Sequence, residues 1–348
     1  IKQMLEGPPV SRHPRLHLDR CLTCRACETT CPSGVEYARL LDIGRAEAER
    51  RIPRPWRQRA LRWLLRAVLP EPTRFARWLK LGQTVRPLLP ASLRSRVPAP
   101  VSAPPWPTSQ HARQVILPGG CVQPALAPDI DAVTARVLDR LGIAAIRAGG
   151  CCGAVDHHLS ATDAARQRAR ANIDAWWPHI EAGAEAIVST ASGCGVMIKE
   201  YDHLLRQDPA YADKARRVAE LTQDLVEILD DHATGLAETK RPVKKISVHE
   251  PCTLQHGQRL GGRLESLLRR AGYTLLPVAD AHLCCGSAGT YALTQPALSR
   301  QLRENKLAAL NRHAPELIVT ANIGCLTHLA GNSPVPVRHW VTLFDPAE

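Results

Sequence analysis

The feature that most constrains the fold of this chain is a pattern of four cysteines that occurs twice. The first set is Cys121, Cys151, Cys152 and Cys194, and the second set is Cys252, Cys284, Cys285 and Cys325. Corresponding cysteines are 131 or 133 residues apart, and a glycine follows each adjacent pair. The repeat predicts two homologous halves of about 130 residues each.

The segments between these cysteines have the pattern of an α/β protein. Short β-branched runs at 114–121, 184–194, 244–252 and 315–325 each end in one of the cysteines. The stretch 129–142 predicts a helix with one apolar face, formed by Ile130, Val133, Val137 and Leu141. Alternating strands and helices predict parallel sheets covered by helices. Ligands gather at the carboxyl ends of such strands, so each half is expected to hold an iron–sulfur cluster, zinc or a redox-active thiol pair.

A different cysteine motif lies near the start of the chain. Cys21, Cys24, Cys27 and Cys31 have the spacing C-x2-C-x2-C-x3-C, and Pro32 follows. This spacing is typical of bacterial iron–sulfur ligation. A zinc knot or a disulfide pair are the alternatives, but zinc sites more often use two separated C-x2-C pairs. We interpret the motif as an iron–sulfur site.

In proteins with two such clusters, the fourth cysteine of the motif ligates the other cluster. Cys31 is therefore expected to reach a second cluster. The chain contains no second copy of the motif and begins at Ile1 rather than Met. A sister motif is therefore expected upstream of Ile1.

Several histidines lie near the cysteines in sequence. Five of them are expected to be hydrogen-bonded structural residues rather than ligands: His157, His158, His249, His256 and His282. His328 is a better candidate, because Cys325-x-x-His328 has the spacing of a ligand pair. The motifs GxGxxG and GxxxxGK[ST] do not occur, so nothing suggests that the chain binds its own flavin, NAD or ATP.

Composition limits the class of protein. The chain has 348 residues, of which 45% are hydrophobic, and this excludes a mostly disordered chain. No apolar run approaches the ~20 residues of a membrane span. Twelve cysteines, clustered within a long chain, favour thiolate metal ligands in a reducing compartment. The sequence therefore predicts a cytoplasmic protein.

The net charge of +12 arises in one segment, residues 50–96. Within it, residues 56–69 form an amphipathic pattern with Arg59, Arg62 and Arg66 on one face and Leu61, Leu64, Leu65 and Val68 on another. Residues 74–80 repeat the pattern. Three interpretations remain open: contact with an anionic membrane surface, contact with an anionic partner subunit, or helices packed on the protein's own core with a solvated basic face. The cysteines give no support to nucleic-acid binding.

Four segments follow from these patterns. Residues 1–49 form the first iron–sulfur segment, and residues 50–110 form basic helices that end in a Pro-rich linker at 97–108. The two cysteine-repeat halves are expected at 111–240 and 241–348.

Together these residues resemble a known family. The stretches that carry the resemblance are residues 17–45, GCCGAVDHHL, NIDAWWPHIEAGAEAI, TASGCG, PCTLQH, HLCCGSAGTYALT and TANIGCLTHLA. They resemble the iron–sulfur subunits of bacterial glycolate oxidases, from Ile1 to about Trp340. The two halves are also similar to the cysteine-rich CCG domains of heterodisulfide reductase B-type subunits. The resemblance implies two homologous CCG-type α/β halves, preceded by a small α-helical ferredoxin-like segment.

The resemblance also implies a function. Cys21, Cys24, Cys27 and Cys31 correspond to [4Fe–4S] ligands, and the other eight cysteines correspond to CCG cysteines. FAD-containing partner subunits would oxidise glycolate to glyoxylate, and electrons would pass through this chain towards a membrane quinone. The chain would supply no catalytic residue itself and would lie on the inner face of the cell membrane as a peripheral protein.

One departure from the CCG pattern affects the cofactor. The fullest form of the pattern ends in C-x-x-C, whereas Met197 and His328 occupy the last positions here. A simpler cluster, a zinc ion or an empty thiol site is therefore an alternative to a larger non-cubane cluster. Three other functions also remain open. They are an iron–sulfur subunit of a lactate or glycerol-3-phosphate dehydrogenase, a CCG-type disulfide reductase, and a scaffold in which metal only stabilises the halves.

Overall fold

The computed structural model describes residues 1–7, 12–90, 94, 97–237 and 245–345. Its first part is helical. The helices are α1 (Lys2–Glu6), α2 (Arg12–Asp19), α3 (Ala26–Thr29), α4 (Tyr37–Arg51), α5 (Trp56–Val68) and α6 (Pro72–Val85), followed by a 3-10 turn at Arg86–Leu88. The Pro-rich stretch 97–108 has no helix or strand, because proline fixes φ and removes hydrogen-bond donors.

The first half is an α/β unit with one parallel sheet in the order β2-β1-β3-β4. The strands are β1 (Arg113–Pro118), β2 (Ile143–Ala148), β3 (Ala186–Ser189) and β4 (Thr222–Asp224). The helices are α7 (Gln123–Leu126), α8 (Pro128–Arg140), α9 (Ala154–His158), α10 (Thr162–Glu181), α11 (Ser192–Lys199), α12 (Tyr201–Leu204), α13 (Ala212–Leu221), α14 (Leu225–Leu229) and α15 (Ala233–Leu236), with a 3-10 turn at Asp230–His232.

The second half contains a smaller parallel sheet in the order β5-β6-β7. The strands are β5 (Ile246–His249), β6 (Leu317–Thr320) and β7 (Val337–His339). The helices are α16 (Arg263–Arg270), α17 (Tyr291–Thr294), α18 (Pro296–Asn311) and α19 (Ile323–Ala330), with a π-helical turn at Thr253–Gly257 and a 3-10 helix at Trp340–Phe344.

The two sheets have the same topology. In the first sheet, Val115 of β1 pairs with Ala145 of β2. In the second sheet, Ile246 of β5 forms a single parallel bridge with Leu275, at the place where β2 lies in the first half. The second half therefore repeats the order of the first, with its outer strand reduced to one bridge. The predictions of an α/β class, parallel sheets and two homologous halves are confirmed.

The predicted helix at 129–142 is also present, as α8. Ile130, Val133 and Val137 are buried on its inner face, and Leu141, just beyond its end, packs against the same core. The expected boundary at 240/241 lies outside the described residues, so the segment limits remain predictions. None of the described helices combines the length and the hydropathy that a transmembrane helix requires.

One hydrophobic core extends through both halves. The 3-10 helix Trp340–Phe344 follows the last strand and packs against α8 of the first half. Arg140 of α8 donates to the Phe344 carbonyl at 2.8 Å, and the His339 imidazole contacts the Thr190 carbonyl at 2.9 Å. The end of the second half is therefore part of the packing of the first.

In the basic helix α5, Arg62 and Arg66 are directed towards the protein, whereas Arg57 and Arg59 are exposed. Arg62 pairs with Asp19 and donates to the Leu159 carbonyl, and Arg66 pairs with the buried carboxylate of Asp156. The opposite face is exposed and apolar, with Trp56 at 72% and Trp63 at 69% exposure. Arg62, with its side chain 15% exposed, is therefore not part of a solvated basic face, whereas Arg66 remains partly exposed.

Candidate metal centre

In the first half, the cysteines lie at the ends of three adjacent strands. Cys121 follows β1, the Cys151–Cys152 pair follows β2, and Cys194 is the third residue of α11, directly after β3. Because the strands are parallel, these ends lie at one edge of the sheet. The topology therefore brings together four cysteines that are up to 73 residues apart in sequence.

The four thiols of the first half interact with one another. Hydrogen bonds from the thiols of Cys121 and Cys152 lower the pKa of Cys151 to about 3, and the N–H of Gly153 adds to this effect. The hydrogen bond to Cys151, together with burial, raises the pKa of Cys121 well above its usual value. The site therefore brings sulfur donors together, and sulfur donors suit soft metal ions.

The second half repeats this arrangement. Cys252 follows β5, the Cys284–Cys285 pair lies in the next loop, and Cys325 is the third residue of α19. The sulfurs of Cys252 and Cys284 are 3.8 Å apart. Hydrogen bonds from Cys252 and Cys285 lower the pKa of Cys284 to about 3, and a hydrogen bond from Cys285 lowers that of Cys325 to about 5.

The glycine after each cysteine pair has a structural cause. Gly153 and Gly286 have φ values of 90° and 86°, in the left-handed region that favours glycine. A Cβ on Gly286 would lie 2.6 Å from the Ser299 carbonyl oxygen of α18. The glycine lets the following helix approach the cysteine pair closely.

Asn172 of α10 fixes the conformation of the first cysteine pair. Its side chain accepts from the Gly150 N–H at 2.8 Å and donates to the Cys151 carbonyl at 2.9 Å. Sequence analysis did not single out Asn172, because its partners lie more than 20 residues away and no motif spacing connects them.

The second half has one additional candidate ligand. One ring nitrogen of His249 and the sulfurs of Cys285 and Cys325 all lie within 4.8 Å of one another, and all three residues are buried. Neither nitrogen of the His249 ring has an oxygen or nitrogen partner among the described residues, and the ring's interaction with the Cys325 thiol helps to lower the pKa of that thiol. This differs from the expectation of a hydrogen-bonded structural histidine.

The other histidines near the cysteines have different contacts. His157 lies 3.6 Å from Asp42, and His256 lies 2.8 Å from the Thr29 hydroxyl. Burial lowers the pKa of His158 to about 3, and His282 is exposed. His328, the histidine with ligand spacing, has its Nε2 3.3 Å from the Ser299 hydroxyl.

In the N-terminal motif, three cysteines are near neighbours. Burial raises the pKa of Cys24, and charges at Cys284, Cys21 and Cys27 raise it further. Cys31 differs, because hydrogen bonds from the Val35 and Ser33 N–H groups lower its pKa. Cys21, Cys24 and Cys27 thus form one group, and Cys31 has its own surroundings.

The N-terminal segment is held against both halves. Arg25 and Arg39 both pair with Glu200 at the end of α11. On the other side, the Tyr291 hydroxyl of the second half donates to the Arg20 carbonyl at 3.2 Å. These contacts bring Cys24 next to the cysteines of the second half. Sequence analysis missed the Arg–Glu pairs, since their members are more than 150 residues apart.

A cavity of about 1050 Å³ connects the two repeated sites. Its wall includes six of the eight repeated cysteines: Cys121, Cys194, Cys252, Cys284, Cys285 and Cys325. All twelve cysteines of the chain are free. The cavity provides room for bound groups beside thiols that no disulfide occupies.

Comparison with known proteins agrees with this architecture. The family model "Cysteine-rich domain", CCG, matches residues 117–199 and 246–330, one match in each half. A protein of Escherichia coli K12 named "Glycolate oxidase iron-sulfur subunit" is 55% identical, over 100% of this chain and 86% of that protein.

More distant relatives have related names. A "Probable glycolate oxidase iron-sulfur subunit" of Bacillus subtilis is 28% identical over 90% of this chain and 76% of that protein. "Lactate utilization protein A" of Bacillus licheniformis is 30% identical over 63% of this chain and 93% of that protein.

Proposed function

Since the chain belongs to the family of glycolate oxidase iron–sulfur subunits, we propose that it transfers electrons within a complex that oxidises glycolate to glyoxylate. The observation that carries the proposal is the placement of twelve free cysteines in three groups, two of which line one cavity. Such donors suit iron–sulfur clusters, whose thiolate ligands come from cysteine.

For the N-terminal group, we assign Cys21, Cys24, Cys27 and Cys31 as ligands of [4Fe–4S] clusters. The mutual interaction of the first three and the separate surroundings of Cys31 support a division between two clusters. This is the division that the motif has in two-cluster ferredoxins.

For the CCG halves, we assign the eight repeated cysteines as ligands of an iron–sulfur cluster or of zinc. The residues fit such a group, because the buried sulfurs hydrogen-bond mainly to one another. When bound, a cluster would accept and donate one electron at a time. The chain's own contribution is to fix the sulfurs at the strand ends and to enclose them.

The flavin chemistry belongs to a partner in this proposal. Oxidation of glycolate to glyoxylate releases two electrons and two protons, which the FAD of a partner subunit would take up. Cys24 lies next to Cys284 and Cys252, so electrons could pass directly between the N-terminal segment and the second half.

We further propose that α5 and α6 rest on the inner face of the cell membrane, where quinone would be the acceptor. The exposed side chains of these helices include large apolar ones: Trp56, Trp63, Leu64, Trp78 and Leu81. Tryptophan favours the membrane interface, and nearby arginines favour anionic lipid. The inward orientation of Arg62 and Arg66 leaves this apolar face uncovered by described residues.

The experiment that tests electron transfer uses the purified complex with a Cys24→Ser chain. With a dye that accepts electrons from the clusters, loss of the cluster is expected to lower the rate of glycolate-dependent dye reduction at least tenfold. Reduction of the flavin by glycolate is expected to continue. The control is Ser33→Ala, a substitution within the same motif that leaves Cys24 and Cys27 intact. Equal dye reduction after loss of the cluster would contradict the proposal.

The substrate is tested separately on the same complex. A panel of glycolate, lactate and glycerol 3-phosphate is expected to show the highest kcat/KM with glycolate. A preference for lactate would assign the chain to a lactate-oxidising complex instead, in keeping with the name of the Bacillus licheniformis relative.

A further inference from the structure

The imidazole of His249 is buried beside cysteine sulfurs rather than beside oxygen or nitrogen partners. His249 is the last residue of β5, is 2% exposed, and neither ring nitrogen has an oxygen or nitrogen partner among the described residues, whereas the Cys325 thiol interacts with the ring. Buried polar groups in folded proteins nearly always have their hydrogen bonds satisfied, so a ring whose polar neighbours are sulfur atoms needs an explanation. A bound metal would be such an explanation.

The ring lies beside sulfur atoms rather than beside oxygen acceptors. One of its nitrogens lies within 4.8 Å of the sulfurs of Cys285 and Cys325. The Asn322 amide donates to the Cys325 sulfur at 3.5 Å and fixes its position. Nitrogen and sulfur donors at this separation can bind one metal ion after small movements, since Zn–N and Zn–S bonds are about 2.0 and 2.3 Å.

The described residues of the first half offer no equivalent donor. The residue 131 positions before His249 is Pro118, which ends β1 as His249 ends β5. Proline has no side-chain ligand atom, so the four cysteines of the first half lack this nitrogen donor. The two halves therefore match in their cysteine sulfurs but differ in the nitrogen donor that His249 provides.

His328 does not take this role. It has ligand spacing from Cys325 in sequence, but its Nε2 is 3.3 Å from the Ser299 hydroxyl. His328 therefore already has a hydroxyl neighbour, whereas the polar neighbours of His249 are cysteine sulfurs. The geometry favours the histidine that precedes Cys252 over the one that follows Cys325.

We propose that His249 is a nitrogen ligand to the metal of the second CCG half, alongside Cys285 and Cys325. This inference rests on the proposed metal content of the CCG halves. It makes the two halves chemically different, because imidazole donates less electron density to iron than thiolate does. Replacement of thiolate by histidine raises the potential of iron–sulfur centres.

The test is pulsed EPR on the reduced, anaerobically purified complex, with 15N-labelled histidine in one sample. A nitrogen coupling that changes with the label is expected in the parent protein, and this measurement requires no substitution. The coupling should disappear in His249→Ala and remain in His328→Gln, the matched control beside the same cysteines. If the second half holds zinc, X-ray absorption at the zinc edge should show a nitrogen neighbour that disappears in His249→Ala.

Three results would overturn the inference. They are sulfur-only ligation of all metal in the parent, a histidine coupling that persists in His249→Ala, and a metal content that the N-terminal clusters fully explain. None of these would by itself contradict electron transfer, because the Cys24→Ser experiment measures that function separately. If dye reduction continued after loss of the Cys24 cluster, the proposed electron transfer would be contradicted. The spectroscopic test of His249 as a ligand would still be valid in that case.

Discussion

At the scale of the residue, the glycines that follow the cysteine pairs show how closely each site is packed. Gly286 combines a left-handed φ of 86° with a helix backbone close to its Cα. The equivalent Gly153 has the same conformation, but the nearest atom to its added Cβ is 3.3 Å away. The site in the second half therefore tolerates a side chain at this glycine less well than the site in the first half.

Gly286→Ala is expected to destabilise the protein by about 2–4 kcal/mol, because backbone strain and overpacking add. The control is Gly183→Ala, where φ is 97° and an added Cβ meets no atom within 4 Å. That variant should lose only about 1 kcal/mol. Thermal unfolding of both variants measures the difference, and equal losses would contradict the role of the Ser299 contact.

Sequence analysis placed His328 above His249 as a candidate ligand. Both histidines are three residues from a cysteine, in His249-x-x-Cys252 and Cys325-x-x-His328, so spacing alone does not distinguish them. The fold reverses this order, because the strand end places His249 beside Cys285 and Cys325 while Ser299 contacts His328.

At the scale of the element, α5 shows that an amphipathic pattern predicts two faces but not which one is buried. Sequence separates these faces only in part, because Arg59 is exposed together with Leu61 and Leu64, whereas Leu65 is buried on the side of Arg62. The partners that orient the helix are Asp19 and Asp156, which lie 43 and 90 residues away from their arginines. A local pattern contains no information about such distant carboxylates.

This orientation leads to a prediction about lipid binding. A chain with Trp56, Trp63 and Trp78 replaced by serine is expected to lose at least tenfold in binding to vesicles that contain anionic lipid. The matched control is Trp177→Ser, because Trp177 lies on α10 of the first half, beside Lys214. Sedimentation with vesicles measures the difference, and equal binding by both variants would contradict a membrane role for α5 and α6.

Four of the seven described strands, β1, β3, β5 and β6, were predicted from the sequence. Each β-branched run before a cysteine became a strand, and the 131-residue repeat predicted that the second sheet would copy the first. The reduction of one outer strand to the Leu275 bridge was not predictable from this repeat. Pairing at a sheet edge depends on neighbours in space, which periodicity does not record.

At the scale of the whole molecule, the halves are joined through buried polar contacts. The His339 ring of β7 contacts the Thr190 carbonyl of the first half and accepts from the Val341 N–H. Both contacts require the neutral ring with its proton on Nε2. Burial lowers the pKa of His339 to about 4.

The pKa of His339 predicts the sign of a pH effect on stability. Below about pH 6.5 the unfolded chain binds a proton at this histidine, whereas the folded chain does not until about pH 4. The free energy of unfolding should therefore fall by about 1 kcal/mol between pH 7.5 and pH 5.5 on account of His339. Denaturant unfolding of the parent and of His339→Gln should show a smaller fall in the variant. An identical fall in both would contradict this assignment.

The packing of Trp340 and Phe344 against α8 also has an evolutionary consequence. Both side chains are fully buried in a hydrophobic core to which the two halves, the copies of the repeat, both contribute residues. After a duplication had produced this arrangement, deletion of either copy would uncover apolar surface on the survivor. Natural selection would then retain the pair as one inherited unit, while each copy stayed free to acquire its own metal chemistry.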